Sequence, residues 1–329
     1  MAFLFGDTFA HYGNNDFGKK YTNSNSPQIL STANPRGGPA VNCNFLQRAI
    51  ANTQTTIVGI RVTAALNRTF LVLYDVSQDQ ITIDVDNVGS VRAKRGGTIL
   101  GQSPNGIVGG GAWHFFWVKT KIHPSAGTIE VRMDGNPTPI ITLSGVNTQQ
   151  SGNSYANLVH LDGGGGNNNF CDFVIFDDSG ALNNTIPSGE LRGDAYFPNG
   201  NGNSSQLTND LGNSTNNYSH VNGSAPNSSS FVQSSTVGNK DTYAFGHMTH
   251  NPAAIYAVQT VPCASKDDAG TRSIASVTRS GGTDYDSASD SLAMSQLMYP
   301  RTRETDPATG VAWTQSGFNA AEFGPKIAV

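Results

Sequence analysis

The stretch Trp113-His114-Phe115-Phe116-Trp117-Val118-Lys119-Thr120-Lys121-Ile122, followed after a short polar turn by Thr128-Ile129-Glu130-Val131-Arg132-Met133-Asp134-Gly135, decides how the rest of the chain is read. In the second run Ile129, Val131 and Met133 alternate with Glu130, Arg132 and Asp134, the period of a half-buried strand. The residues between the runs, His123-Pro124-Ser125-Ala126-Gly127, carry the Pro and Gly of a turn, so the pair is expected to form an antiparallel hairpin. In the first run Trp113, Phe115 and Trp117 share one face, and Phe116 and Val118 the other. Both faces are apolar, which places this strand inside a β-sandwich and any binding function elsewhere, on loops or subunit surfaces.

Outward from the hairpin, β-type segments recur between Gly, Asn, Ser and Pro punctuation: 55–62, 69–75, 80–85, 140–143, 158–161 and 170–176. Many short strands with turn signals between them indicate an all-β sandwich or jelly roll. Asp86-Asn87-Val88-Gly89 and Asp162-Gly163-Gly164-Gly165-Gly166-Asn167 are loops. No helix pattern or Gly-Lys-Ser/Thr follows the four glycines, so they make no phosphate cradle. The run 191–197 reads as a closing strand. From Pro198 to Ser235 the composition turns to Asn, Ser, Gly and Thr, a linker or a set of long loops. β character returns at 242–248, 255–261 and 271–279, whereas 292–299 fits a short helix and a strand equally. The expected organisation is a jelly-roll domain over 1–198, a linker or long loops over 199–235 and a smaller β-rich domain over 236–329.

Composition excludes several functions. Of 329 residues only 13% are charged, the formal net charge is −4, and Lys and Arg are dispersed, with Arg92, Lys94 and Arg95 the densest group. Nothing in that balance favours nucleic acid or an anionic membrane surface. Glu occurs only at Glu130, Glu190, Glu304 and Glu322, so helix is expected to be the minority state. No basic, apolar leader opens the chain and no run reaches 18 apolar residues, from which a soluble protein made in the cytoplasm is expected. Cys43, Cys171 and Cys263 are widely spaced and read as reduced thiols. Seven Asn-x-Ser/Thr sequons, from Asn67 to Asn227, are chance matches in a chain this rich in those residues.

Local signatures of catalysis are missing. Glu130 and Asp134 share a strand face without the third carboxylate of a Glu-x-Asp-x-x-Glu arrangement, and no nucleophile elbow, zinc-protease helix or Walker loop occurs. His247 and His250 lack a neighbouring Cys or carboxylate to complete metal-ligand spacing. On this reading the chain has no catalytic residue, no cofactor-binding residue and no enzymatic activity. The candidate calcium ligands are the acidic pairs Asp177-Asp178 and Asp267-Asp268, each beside a strand end. Arg192-Gly193-Asp194 spells an integrin tripeptide by coincidence.

The ordered segments carry a resemblance. Phe5-Gly6-Asp7-Thr8-Phe9-Ala10-His11-Tyr12, the central hairpin with Trp113-His114 and Ser125 to Gly135, Leu143 to Gln149, Asp172 to Gly180 and Leu191 to Asp194 resemble the laminin-G-like (concanavalin-type) jelly-roll virion structural proteins of tailed bacteriophages. Lys266 to Arg272 and the ending Pro307 to Gly324 are similar to what such proteins carry after the jelly roll. Where those relatives have paired acids entering the strand at 172, this chain has Cys171 before Asp172, which weakens a calcium site there. The resemblance implies a virion location in the tail or fibre apparatus. It implies partners among other virion proteins and copies of the same chain, a trimer or higher, and contact with host cell-surface polysaccharide. Its alternatives are a head decoration protein and a glycan depolymerase.

Overall fold

The computed structural model describes residues 2–31, 33–76 and 78–329 and is nearly all β, in antiparallel sheets. Two compact units emerge. The first holds the residues through Ala10 with Tyr21–Asp194; the second holds His11–Lys20 with Ala195–Val329.

The first unit is a two-sheet sandwich. Its strands are β1 (Phe3–Asp7), β2 (Asn23–Asn25), β3 (Gln28–Leu30), β4 (Ala40–Asn42), β5 (Phe45–Thr53), β6 (Thr55–Thr63), β7 (Arg68–Asp75) and β8 (Gln78–Val85). They continue as β9 (Val91–Arg95), β10 (Thr98–Gln102), β11 (Trp113–Lys121), β12 (Gly127–Met133), β13 (Ile141–Val146), β14 (Ala156–Asp162) and β15 (Asn169–Asp177). One sheet runs β13-β12-β11-β6-β15-β4-β3, with β1 beside β15; the other runs β10-β9-β8-β7-β14-β5-β2.

The hairpin of β11 and β12 pairs Phe116 with Met133 and Lys119 with Glu130, in register throughout. Its turn is closed by side chains: His123 Nδ1 accepts the Ser125 and Ala126 amides, and Thr148 Oγ1 donates to the Lys121 carbonyl. Phe115, Phe116, Trp117 and Val118 are all buried, as the apolar character of both strand faces requires. Phe116 stacks on Phe70 of the facing sheet at 4.9 Å, and Phe115 meets Trp117 edge to face at 5.2 Å.

Trp117 is accommodated by a gap in its neighbour. Gly59 of β6 pairs with both Trp117 and Val174, and a Cβ at Gly59 would lie 2.4 Å from the indole and 2.8 Å from Val174. Gly59→Ala therefore overpacks the sheet and is expected to cost about 1–3 kcal/mol, read as a lower denaturant midpoint at unchanged slope. A midpoint equal to that of the native chain would refute the argument.

The second unit is organised on a six-stranded antiparallel sheet in the order Pro198–Ser205, Asp241–Phe245, Glu322–Ile327, Ser273–Ser280, Thr283–Asp286, with Asp290–Ser291 also on Ser273–Ser280. Its α-helix, α1 (Gln315–Ala320), starts at Thr314, whose side chain accepts the Gly317 amide as an N-cap. Trp313, Phe318, Ala321 and Phe323 form a core against Tyr196, Phe245, Met248, Ile255 and Val258.

Two segments differ from the sequence reading or resolve it. Residues 191–197 form no strand; the segment is held instead by side chains, with Gly193 N–H on Asp172 and the Leu191 carbonyl on Arg36. Residues 292–299 contain no helix and only the two-residue strand Leu297–Met298, paired with Cys263–Ala264.

The Asn-rich stretch 199–235 is built around buried polar groups. Asp241 accepts the Gln206 and Leu207 amides on one oxygen, and the Asn217 amide and Tyr243 hydroxyl on the other. Asn217 also donates to the Leu207 carbonyl, and Asn209 links Asn213, Thr215 and Asn217. Asp241 and Asn217 are fully buried. Amide and carboxylate hydrogen bonds take the place that apolar side chains hold in the sandwich.

Candidate functional site

The seven-stranded sheet turns one face into the sandwich, where Leu46, Leu161, Leu71, Ile83 and Ala93 form a buried row across β5, β14, β7, β8 and β9. The strand period of two sends the next residues to the opposite face. There Asn23, Gln47, His160, Val72, Thr82 and Lys94 line up across six strands. Two flanking rows hold Asn25, Phe45 and Asp162 on one side, and Ala49, Leu158, Tyr74 and Asp79 on the other.

His160 is the centre of this face. Its ring stacks on Phe45 at 5.3 Å and leans against Tyr74 at 5.6 Å. Gln47 Nε2 donates to His160 Nδ1 at 2.9 Å, an arrangement that puts the ring proton of the neutral imidazole on Nε2. Burial pushes the His160 pKa down, against the pull of Asp162, so the ring is neutral near neutral pH. Burial also raises Tyr74, reinforced by Asp79 and Asp162. The result is an aromatic patch edged with a ring N–H, side-chain amides and a hydroxyl.

The charges of the face are unequally committed. Asp84 receives Arg92 through two hydrogen bonds at 2.9 and 2.8 Å and Lys94 at 2.6 Å, so one carboxylate holds both nearby cations and the cluster keeps one positive charge in excess. Asp162 caps the Gly164 amide, and neither it nor Asp79 is ion-paired among the described residues. The two unpaired carboxylates and this cluster together leave the face one negative charge in excess.

The residues singled out in the sequence fall elsewhere. Asp177 ends β15 and accepts the amide and hydroxyl of Ser179, while Asp178 follows it in the same turn. Asp268 accepts the Gly270 amide and pairs with Arg272 at 2.7 Å; Asp267 precedes it. These are turn contacts of the kind Asp side chains make with their own backbone. Among the described residues no three of His, Cys, Asp and Glu gather as a metal-binding group. Glu130 is bound to Arg132, whereas Asp134 lies past the strand end and holds His114 and the Phe115 amide, so the two carboxylates do not converge. Arg192 and Asp194 of the tripeptide pair with each other at 2.8 Å. Cys43 and Cys171 are buried free thiols; burial raises both, Cys43 to about 12. No helix among the described residues is long and apolar enough to cross a membrane.

No family model and no curated protein matches the sequence. Solved structures do show a likeness. The catalytic domain of a glycoside hydrolase family 131 protein from Coprinopsis cinerea is 9% identical with a TM-score of 0.34, over 56% of this chain and 98% of that one. Domain 4 of the GH43 arabinanase AbnA from Geobacillus stearothermophilus, solved with arabinotriose, is 13% identical with a TM-score of 0.32, over 52% and 93%. Trypanosoma rangeli sialidase is 11% identical with a TM-score of 0.31, over 46% of this chain; the chain spans 27% of the sialidase's length.

These neighbours share the β-sandwich class and leave residue roles unassigned. They do overturn one expectation. The inference of no enzymatic activity rested on absent local motifs, and the structures resembling this chain include glycoside hydrolases, so that inference is withdrawn. The physical reason is that sheet-borne carboxylates can also come from separate strands, and then leave no short signature in a sequence.

Proposed function

We propose that the chain is a laminin-G-like virion structural protein of the phage tail or fibre apparatus, and that it holds host-surface glycan on the outer face of the seven-stranded sheet. The observation that carries the binding site is the stack of Phe45, His160 and Tyr74 beside Gln47, with its outward ring N–H. Sugars present apolar C–H faces and rings of hydroxyls; an aromatic platform with flanking donors and acceptors matches both. The motifs from Phe5 to Asp194 support the virion assignment. With Arg92 and Lys94 both on Asp84, and Asp79 and Asp162 unpaired, the face carries one negative charge in excess, which favours neutral glycans over uronic acid polymers. Several copies per particle would add avidity to weak single contacts.

The test is titration of the purified chain with host polysaccharide, with a neutral hexose polymer and with a uronic acid polymer. Tyr74→Ala is expected to weaken neutral-glycan binding about tenfold, the loss of one aromatic contact worth roughly 1 kcal/mol or slightly more. Equal binding by the native chain and Tyr74→Ala would remove the site, and preference for the acidic polymer would remove the assigned ligand class. Reducing ends measured in the same incubations report whether bound glycan is also cleaved. Copy number in virions separates the two locations, since a handful of copies fits the tail and hundreds fit head decoration.

A further inference from the structure

We infer that Asn222 is a site of spontaneous covalent modification, converted to aspartate and isoaspartate by its own backbone. The chain has four Asn-Gly dipeptides, at Asn105, Asn199, Asn201 and Asn222. In each, the glycine amide nitrogen could attack the Asn side-chain carbonyl carbon, because glycine has no Cβ to obstruct the approach. Whether it does depends on the freedom of the backbone and of both reacting groups.

Three of the four are restrained. Gly106 donates its amide to the Val88 carbonyl at 2.9 Å, and Asn105 Oδ1 accepts the Ser90 hydroxyl at 2.7 Å. Asn199 lies at a register irregularity in the strand Pro198–Ser205, fixed between Pro198 opposite Phe245 and Gly200 opposite Ala244. Asn201 sits opposite Tyr243 in that strand, and its Oδ1 accepts the Tyr218 amide at 3.3 Å. Gly202 is hemmed in, with Glu322 and Thr242 within 2.7 Å of where a Cβ would stand. An extended backbone points the following amide away from the side chain of the residue before it, so ladder positions resist ring closure.

Asn222 is different. Asn222 and Gly223 are both exposed and lie outside any strand, helix or turn. Neither the Gly223 amide nor the Asn222 side chain has a hydrogen-bond partner among the described residues. The loop is fastened on either side, by Val221 N–H on the Tyr218 carbonyl and by the Ser230 hydroxyl on the His220 carbonyl, which leaves the dipeptide itself free to turn.

The reaction needs only water. The Gly223 nitrogen forms a bond to Asn222 Cγ, the Cγ–Nδ2 bond breaks, and ammonia departs with the proton that the Gly223 amide gives up. Water then opens one of the two imide C–N bonds, yielding aspartate or isoaspartate. Each event adds a negative charge to a chain of formal charge −4.

Incubation of the purified full chain at about pH 8 and 37 °C, followed by peptide mapping, tests this. Asn222 is expected to convert at least about tenfold faster than Asn105, Asn199 or Asn201, a difference of roughly 1.4 kcal/mol in barrier. Gly223→Ala is expected to slow conversion at Asn222 about tenfold, since a Cβ hinders attack. Equal rates at all four sites, faster conversion at any of the other three, or a rate unchanged in Gly223→Ala would overturn the proposal.

Discussion

Asp241→Ala is expected to destabilise the second unit by on the order of 4 kcal/mol. The carboxylate is fully buried and accepts four hydrogen bonds, two from backbone amides of 206 and 207 and two from Asn217 and Tyr243. Truncation strands those donors away from water, and each orphaned buried donor costs about 1–3 kcal/mol, softened by water entering the vacated space. Burial, then the Asp241 charge, raises the Tyr243 hydroxyl, so Tyr243 stays a donor at any ordinary pH and offers no relief. Asp241→Asn is expected to lose less, because its carbonyl oxygen can still accept the two backbone amides. Denaturant unfolding decides; a loss below about 1 kcal/mol in Asp241→Ala would mean the hub is dispensable.

Arg61→Met is expected to cost the first unit about 3–5 kcal/mol, because it leaves a buried charge without its partner. Arg61 Nε meets Asp172 at 3.1 Å and its second arm meets Glu190 at 2.5 Å, with the guanidinium over the Phe115 ring. Arg36 holds Glu190 from the other side. Burial raises the Asp172 pKa even with the Gly193 amide and Arg61 pulling it down. Without Arg61 the Asp172 carboxyl is expected to take up a proton or swing outward, loosening residues 189–193 from the sheet, where Trp117 Nε1 donates to the Gly189 carbonyl. Asp172→Asn in the Arg61→Met background should recover part of the loss. Equal stability of Arg61→Met and the native chain would show that the pair gives no net support.

Strands with a clear alternation or an aliphatic run are legible in the sequence alone: the hairpin, β6, β7, β8, β14 and β15 all lie where the residue pattern puts them. β5, with the sequence Phe-Leu-Gln-Arg-Ala-Ile-Ala-Asn-Thr, is not legible, because several of its residues face solvent and break the period. β9 and β10 are short and polar, and escape notice for the same reason. The false strand at 191–197 has β-like residues, but its partners are carboxylates and a guanidinium, which fix a segment without any ladder. The proposed binding face is invisible in the sequence for a geometric reason. Gln47, Tyr74 and His160 are separated by dozens of residues and meet only once β5, β7 and β14 are in register. The Asn-rich stretch announces its polarity, yet polarity alone does not say whether an amide faces water or, like Asn209 and Asn217, a buried partner.

The assignment of His11–Lys20 to the second unit means that the backbone passes between the two units three times, after Ala10, after Lys20 and after Asp194. Within the second unit this short segment stacks Tyr12 on Phe17 at 4.6 Å and ties Lys19 to Gln296 at 3.2 Å. A protease that cuts once, between Asp194 and Ala195, would sever the chain without parting its products, because ten residues of the front piece stay lodged in the rear one. The second unit is therefore closed by a contact between residues 277 positions apart, which no local segment can form by itself.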